Sequence, residues 1–415
     1  MGSQGGPPIW YLGGMSRAVE TPGSGGTPGS VCTPGSVLIY VASDLLSDGL
    51  VKLPFARALR NAFPQAQITW LAGKGTSAYA HGLAPLVRGL IDEVVEQAGI
   101  GRRWSELARP ALAGSALAGR RFDLVIDTQR RVGTTLLLKR IPHGCFVSGA
   151  AGYRLSDRRP PHPRRKAPAL GRRLLDLLEL ASGRPADIAG TPPADAQLDA
   201  LAARLLPEGR RYVGLAPGAS GAHKCWPLER YLELGAAQLA AGRVPVVLLG
   251  PEEGLWALPV REALPQALLP LQSEAAAPLG PSPLVTIALA RRLSVAVAND
   301  AGVGHMMAAA DCPVISLFGP TPAAKFAPLA GRARVLRAQD FAGSDGGGEM
   351  AGIPLSAVED AVEELLAEIA KDGETAGRED AAGREATAGR EATAEGTAVR
   401  ARPGGKSRLI GREAR

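Results

Sequence analysis

The chain contains few aromatic residues and few cysteines, and it has no long apolar run. Aromatic side chains make up only 4% of its 415 residues, and no basic stretch is interleaved with aromatics as in proteins that stack nucleic-acid bases. The four cysteines lie far apart, without the spacing of a metal site. No apolar run reaches the roughly 20 residues needed to cross a bilayer. These absences disfavour a nucleic-acid-binding protein, a zinc protein and a membrane-spanning protein.

Targeting and cofactor-binding motifs are missing as well. The first ten residues, MGSQGGPPIW, include neither a charged segment nor a long apolar segment, so they do not resemble a signal peptide. Together with the unpaired thiols, this predicts a cytoplasmic protein. No GxGxxG sequence follows the first predicted strand, which disfavours a dinucleotide-dependent dehydrogenase.

Glycine and proline, by contrast, are plentiful, with 52 and 34 residues, and they concentrate near the ends and in loops. Residues 1–36 repeat Thr-Pro-Gly steps, and residues 372–415 carry imperfect repeats such as TAGRED and TAGREA. Such segments lack the large apolar side chains needed to build a core, so we predict disordered tails over both ranges. The net charge of +7 suits an anionic partner, although spread arginines more often form a solvated surface.

Between the tails, short apolar runs alternate with helical patterns, and this order predicts an α/β protein with parallel sheets. The predicted strands are Val37–Ser43, Ile68–Gly73, Phe122–Asp127, Cys145–Gly149, Tyr212–Gly218, Val244–Gly250, Ser294–Asp300 and Pro313–Gly319. The strands form two sets, which predict an N-terminal domain over 37–190 and a C-terminal domain over 205–352. An amphipathic pattern predicts a final helix within 353–371.

Ligands of parallel α/β sheets bind at the carboxyl ends of the strands, and three segments with suitable chemistry stand there. In the segment NDAGVGH, Asp300 ends a predicted strand, and Gly302 begins a glycine-containing turn into a helix. Backbone N–H groups at such a helix start can bind phosphate oxygens, and His305 lies on the first turn. Taken alone, the segment is explained better by Asp300 acting as a helix cap.

The other two segments follow the first strand of each set. After Tyr212–Gly218, Ser220 supplies a hydroxyl and Lys224 a positive charge suited to a diphosphate, although an ordinary loop explains them equally well. After Val37–Ser43, Asp48 lies between the strand and the predicted helix, where a general base facing a cleft is expected. A helix cap is again the simpler local explanation for Asp48.

The order of these motifs resembles glycosyltransferase family 9, the heptosyltransferases of lipopolysaccharide core assembly. The similar segments are LLSDGLVKLP, FDLVIDTQ, GLAPGAS, VVLLG and NDAGVGHMMAAADCPVISLFGPT, and the similarity covers roughly residues 37–370. The resemblance implies a GT-B fold, in which two Rossmann-like domains face each other across a cleft. It also implies an inverting glycosyl transfer that needs no metal or other cofactor.

The resemblance also implies roles for individual residues. Asp48 matches the family's catalytic base, because Pro54 follows at the usual distance. The residues that match donor-binding positions are Ser220, Lys224, Glu253 (or its neighbour Glu252), Asp300, Ala301, Gly302 and His305. Two departures concern Ser47, which precedes Asp48 where the family usually has glycine, and Ala301, which replaces a common threonine.

The implied activity is transfer of a heptose or related sugar from a nucleotide-sugar, with ADP-heptose expected, to a lipopolysaccharide core or other glycan. The alternatives are a GT-B sugar-nucleotide epimerase and a catalytically inactive sugar-nucleotide-binding protein. For the basic segment between Arg154 and Arg173, two interpretations stay open. It binds an anionic, lipid-linked acceptor at the cytoplasmic face of the inner membrane, or it is a solvated linker.

Overall fold

The computed structural model describes residues 33–100, 117–161, 167–191, 193–280, 282–341 and 348–372. Most of each predicted tail lies outside these ranges. Ser36, at the end of the first predicted tail, is already part of a strand, and residue 372 is still part of a helix. In the described part of the chain, no helix is both long and apolar enough to span a membrane.

Two parallel five-stranded sheets form in succession along the chain. The first has the order β3-β2-β1-β4-β5 and contains β1 (Ser36–Val41), β2 (Gln67–Ala72), β3 (Glu93–Val95), β4 (Phe122–Asp127) and β5 (His143–Ser148). The second has the order β10-β9-β8-β6-β7 and contains β6 (Tyr212–Ala216), β7 (Val244–Val247), β8 (Val295–Asn299), β9 (Val314–Phe318) and β10 (Ala333–Arg337). The α/β class and all eight predicted strands are confirmed.

Helices connect the strands, as parallel pairing requires. They are α1 (Leu46–Ala62), α2 (Val132–Leu138), α3 (Leu170–Ser182), α4 (Ala196–Leu205), α5 (Leu228–Ala240), α6 (Ala257–Ala263), α7 (Pro283–Ala290), α8 (Gly302–Ala309), α9 (Ala323–Phe326) and α10 (355–372). A single compact unit contains both sheets and extends to Val362, so the predicted boundary between two domains stays a prediction. Residues from Glu363 onward form a separate unit, whose described part continues α10.

The central strands are buried on both faces, which explains their continuous apolar runs. Every residue of Val37–Val41 has no solvent exposure, and the same holds for Val314 and Ile315 in β9. The two strands that sequence patterns missed, β3 and β10, are sheet edges whose residues are mostly half-buried. A strand with one side open to solvent needs no continuous apolar run, so these two gave no signal.

Helix α1 joins the two sheets through a buried arginine. The guanidinium of Arg57 donates a hydrogen bond to the carbonyl oxygen of Ala309, the last residue of α8. Burial lowers the pKa of Arg57 to about 10, and the nearby carboxylate of Asp311 acts in the opposite direction. A positive charge at the carboxyl end of a helix is also favoured by the helix dipole. Arg57 therefore holds α1, from the first half of the chain, against α8, from the second.

Candidate active site

A large cavity of about 690 Å³ lies beyond the carboxyl ends of β6, β7 and β8. Most of its surface is apolar, with a small number of polar groups, as is usual for a small-molecule site. Its lining includes Leu46 at the start of α1 and the loop and helix residues Ser220, Leu248, Glu253, Gln272, Ala301, Gly302, Val303 and Met306. Four of the predicted donor-binding residues, Ser220, Glu253, Ala301 and Gly302, thus face one cavity.

The start of α8 offers unused hydrogen-bond donors to this cavity. Ala301 precedes the helix in an extended conformation, and it has no side chain that could cap the first turn. The backbone N–H groups of Gly302 and Val303 therefore have no partner within the helix, while Gly304 donates to the carbonyl oxygen of Ala301. Gly302 is exposed, and a methyl group added to it would contact nothing within 4 Å. This is an anion-binding geometry with open access.

The carboxylate of Glu253 is held between two glycines. A Cβ atom on Gly218 would lie 2.4 Å from Oε1 of Glu253, and one on Gly250 would lie 2.6 Å from Oε2. These glycines lie near the beginning of the loops after β6 and β7, and their lack of side chains leaves room for the carboxylate. Glu252 also lines the cavity. These contacts distinguish Glu253 from Glu252, because the loops after β6 and β7 fix the position of the Glu253 carboxylate.

Lys224 and Asp300 form an ion pair at the end of β8. Nζ of Lys224 lies 3.1 Å from Oδ2 of Asp300, and the hydroxyl of Thr321 donates to the same oxygen at 2.6 Å. Neither Lys224 nor Asp300 lines the large cavity. Their donor-binding roles stay predictions, and a bound diphosphate would have to share Lys224 with Asp300.

The neighbouring Asn299 is structural. Its Oδ1 accepts hydrogen bonds from the backbone N–H of Trp226 and the hydroxyl of Tyr231, both at 3.1 Å, and its Nδ2 donates to the carbonyl oxygen of Pro217 at 2.7 Å. Trp226 is buried and donates from Nε1 to the carbonyl oxygen of Ile353. These bonds fix the end of β8 to the loop after β6, and so they position both predicted donor-binding segments.

A second cavity, of about 200 Å³, brings Asp48 and His305 together. Asp48 comes from α1 and His305 from α8, and Arg173 and Lys325 also line the space. Helices α1 and α8 therefore each contribute to both cavities. No sequence pattern indicated Lys325, because a single lysine in a short helix after β9 matches no motif.

Asp48 lies on the first turn of α1, and the prediction that it stands between strand and helix is wrong. The helix begins at Leu46, eight residues before Pro54, and continues through this proline to Ala62. Residues Lys52–Leu59 are all buried, and such tertiary packing, more than local propensity, stabilises a helix. The Oδ2 atom of Asp48 lies 3.4 Å from the backbone nitrogen of Leu45, the residue before the helix. The side chain is half-buried. A negatively charged side chain in the first helical turn interacts favourably with the helix dipole.

Burial lowers the pKa of His305 below its ordinary value of 6.5, and the carboxylate of Asp300 opposes this shift. His305 is therefore neutral near pH 7. A neutral imidazole can donate one hydrogen bond and accept another, so it can contact a hydroxyl without adding charge to the cavity.

A buried ion pair supports the turn that leads into α1. The carboxylate of Asp44 pairs with Nζ of Lys52 and accepts hydrogen bonds from Nε1 of Trp70 at 2.8 Å and from the hydroxyl of Ser77 at 3.1 Å. Asp44 and Lys52 are only 2% and 4% exposed, so both charges depend on these partners. Sequence patterns did not identify this group, because its members are far apart in the chain.

Within the described residues, no group of three or more His, Cys, Asp or Glu side chains could hold a metal ion. The expectation of a metal-independent reaction stays a prediction.

Comparisons with known proteins agree with this arrangement. The model of glycosyltransferase family 9 (heptosyltransferase) matches residues 112–345, more than half of the chain. The lipopolysaccharide heptosyltransferase 2 of Salmonella typhimurium is 35% identical over 134 residues, which are 31% of this chain and 36% of that protein. The lipooligosaccharide heptosyltransferase 2 of Haemophilus influenzae is 29% identical over 129 residues, or 31% and 37% of the two chains. The match thus spans little more than a third of the length of these relatives.

Solved structures are similar over a longer range. A glycosyl transferase family 9 protein from Veillonella parvula has a TM-score of 0.58 at 20% identity, over 80% of this chain and 98% of that one. An E. coli heptosyltransferase solved with ADP has a TM-score of 0.54 at 21% identity, over 80% and 99%. This likeness confirms the GT-B fold. With the family model covering more than half of its length, the chain belongs to glycosyltransferase family 9.

Proposed function

We propose that this protein transfers a heptose from ADP-heptose to an acceptor sugar of the lipopolysaccharide core. One observation carries the proposal: Asp48 on α1 and His305 on α8 line the same cavity, while the free N–H groups at the start of α8 face the large cavity. A base and an anion-binding helix end thus lie on two helices in contact, as transfer between two bound substrates requires. The names of the relatives support heptose as the sugar.

The large cavity is the proposed donor site. The N–H groups of Gly302 and Val303 and the hydroxyl of Ser220 suit the diphosphate, and the carboxylate of Glu253 suits the ribose hydroxyls. The apolar remainder of the cavity suits the base. ADP is favoured because a structurally similar E. coli heptosyltransferase was solved with it.

The reaction follows from these positions. The Asp48 carboxylate takes the proton of the acceptor hydroxyl as the oxygen attacks the anomeric carbon, and the bond from that carbon to the diphosphate breaks. Attack from the face opposite the leaving group inverts the configuration. The N–H groups at the α8 start stabilise the charge that develops on the departing diphosphate, without a metal. Lys224 lies outside the cavity and pairs with Asp300, so it has to turn toward the diphosphate to add its charge.

A panel of nucleotides tests the donor assignment. Because a ligand of the folded state raises thermal stability, ADP and ADP-heptose at about 100 times their Kd should stabilise the protein by about 2.7 kcal/mol. We expect UDP and GDP to have less effect. The Glu253→Gln variant should lose most of the stabilisation, whereas Glu252→Gln should keep it. Equal stabilisation by all three nucleotides, or none by ADP, would contradict the assignment.

A further inference from the structure

The loop after β9 has the sequence GPTP, in which Pro320 and Pro322 flank Thr321. A proline ring fixes its own φ angle and also keeps the residue before it out of the helical region, so the backbone around Thr321 has little freedom. Thr321 is itself β-branched, which limits rotation about its Cα–Cβ bond. The sequence therefore places a single hydroxyl on a stiff loop.

The start of this loop is fixed to its surroundings. The carbonyl oxygen of Gly319 accepts a hydrogen bond from Nε2 of Gln339 at 2.6 Å. A Cβ atom on Gly319 would lie 2.9 Å from the carbonyl oxygen of Gly348, so a larger residue does not fit without a backbone shift. The backbone N–H of Asp300, at the end of β8, donates to the carbonyl oxygen of Leu317 in β9 at 3.0 Å. The loop and Asp300 are thus fixed to the same part of the second sheet.

The two carboxylate oxygens of Asp300 have different surroundings. The hydroxyl of Thr321 donates to Oδ2 at 2.6 Å, and Nζ of Lys224 lies 3.1 Å from the same oxygen. A distance of roughly 2.5–2.7 Å is typical of a hydroxyl that donates to a charged carboxylate. Oδ1 accepts no hydrogen bond in the described part of the chain, and it is not buried. One oxygen therefore has two partners, and the other is open to a ligand.

Asp300 lies between the two cavities of the proposed active site. The next residues, Ala301 and Gly302, line the large cavity, and His305 lines the cavity of Asp48. The charge of Asp300 acts on His305, so these two side chains are close to each other. In the proposed reaction, the sugar that is transferred lies between the diphosphate at the start of α8 and the carboxylate of Asp48. The open Oδ1 atom of Asp300 is therefore near the hydroxyls of that sugar.

Lys224 has to leave Asp300 when it turns toward the diphosphate, because it lies outside the large cavity. The Asp300 side chain is only 11% exposed, so its charge then depends on the protein partners that remain. Among the described residues, Thr321 is the one other side chain that donates to this carboxylate. After the lysine has moved, the bond from Thr321 keeps Oδ2 in place.

We propose that Thr321 positions the Asp300 carboxylate so that its Oδ1 atom accepts a hydrogen bond from a hydroxyl of the donor sugar. Thr321 is thus a positioning residue, which acts through Asp300. The inference rests on the proposed transferase function. The hydroxyl of Thr321 should therefore matter for binding of the sugar part of the donor, and little for binding of its nucleotide part.

Calorimetric titration of the protein with ADP and with ADP-heptose separates the two parts of the donor. The Thr321→Val variant loses the hydroxyl and keeps the shape of the side chain. Because a hydrogen bond to a charged group is lost, the Kd of ADP-heptose should rise about tenfold, whereas the Kd of ADP should change much less. Thr321→Ser keeps a hydroxyl and should recover most of the affinity. Thr321→Ala replaces Thr321→Val if thermal unfolding shows that the valine variant is not folded.

Two further variants serve as controls. Thr128→Val also removes one threonine hydroxyl, but this hydroxyl donates to the carbonyl oxygen of Tyr40 in the first sheet, at 2.8 Å. Neither Kd should change in this variant. In an Asp300→Asn background, Thr321→Val should have much less effect on the Kd of ADP-heptose, because two residues that act as a unit are not additive.

The possible results separate failure of this inference from failure of the proposed function. An unchanged Kd of ADP-heptose in Thr321→Val would overturn the inference. An equal rise for ADP and ADP-heptose would overturn it too, since that result indicates a general role in loop stability, as would a wild type that does not bind ADP-heptose. If the predicted differences appear but the wild type transfers no heptose, the transferase assignment is wrong and the role of Thr321 stands.

Discussion

At the scale of single residues, positions with glycine or alanine determine which groups the proposed donor cavity can hold. The Glu253 carboxylate occupies space that any residue larger than glycine at position 218 would fill. The open approach to Gly302 leaves the first N–H groups of α8 accessible. Ala301, which stands where the family commonly has threonine, contributes through its backbone position at the helix start. The change of side chain therefore leaves the anion-binding geometry of α8 in place.

Gly218→Ala should weaken donor binding without unfolding the protein. The added Cβ would lie 2.4 Å from Oε1 of Glu253, so the flexible carboxylate must move away from the cavity. We expect the ADP-heptose KM to rise about tenfold, as in Glu253→Gln, because a charged hydrogen bond is lost in both. Gly254→Ala is the matched control, since its Cβ would meet nothing within 4 Å. Steady-state kinetics and thermal unfolding check the prediction, and an unchanged KM in Gly218→Ala would count against the role of Glu253.

His305 should make stability depend on pH in a defined direction. Its pKa is lowered by burial, so between the folded value and 6.5 the unfolded chain binds more protons than the folded one. The stabilisation from neutral His305 is therefore complete above about pH 6.5 and is lost as the pH falls through the folded pKa. Urea unfolding at pH 7.5, 6.5 and 5.5 should show a larger loss of stability for the wild type than for His305→Gln. Equal losses in both proteins would contradict the shift.

At the scale of elements, the turn from β1 into α1 depends on a buried network. Asp44 at the end of β1 bonds to Lys52 on α1, Trp70 on β2 and Ser77 in the following loop. Three elements thus share one carboxylate. The network fixes the first turn of α1, and with it the direction in which Asp48 is presented.

Asp44→Asn should destabilise the protein strongly. Removing one partner of a buried ion pair leaves the other charge uncompensated, and such changes typically cost about 3–5 kcal/mol. The double variant Asp44→Asn/Lys52→Met should lose less stability than the sum of the single variants, because it leaves no unpaired charge. The free energy of unfolding in urea measures both effects. Additive losses would show that the two side chains do not act as a pair.

Elements with a strong local pattern could be predicted from the sequence, and those that depend on tertiary packing could not. Continuous apolar runs identified the buried strands, while the half-buried edges β3 and β10 lacked them. Sequence patterns placed Asp48 before the predicted helix, but α1 begins at Leu46 and includes Pro54, because packing of its buried residues stabilises it. Motif order predicted roles for Asp48 and Gly302, and each of them lines a cavity. Lys325 belongs to no motif, and only the fold brings it to its cavity.

At the scale of the whole molecule, the proposed reaction depends on two sheets that present their helices to one another. Arg57 ties α1 to the end of α8, and these two helices line both the donor cavity and the cavity of Asp48. The proposed base and the proposed donor-binding helix start therefore keep fixed positions relative to each other.

The most direct test of this account compares the wild type with Asp48→Asn in a transfer assay. ADP-heptose and the lipopolysaccharide of a strain lacking the gene are the substrates, and mass spectrometry detects the added heptose. Because a positioned base contributes about 10²–10⁴-fold, the variant should be at least about 100 times slower while it binds ADP-heptose as well as the wild type does. Transfer by Asp48→Asn at the wild-type rate would contradict the account. Conversion of ADP-heptose into an epimer by the wild-type protein in the absence of acceptor would contradict it as well.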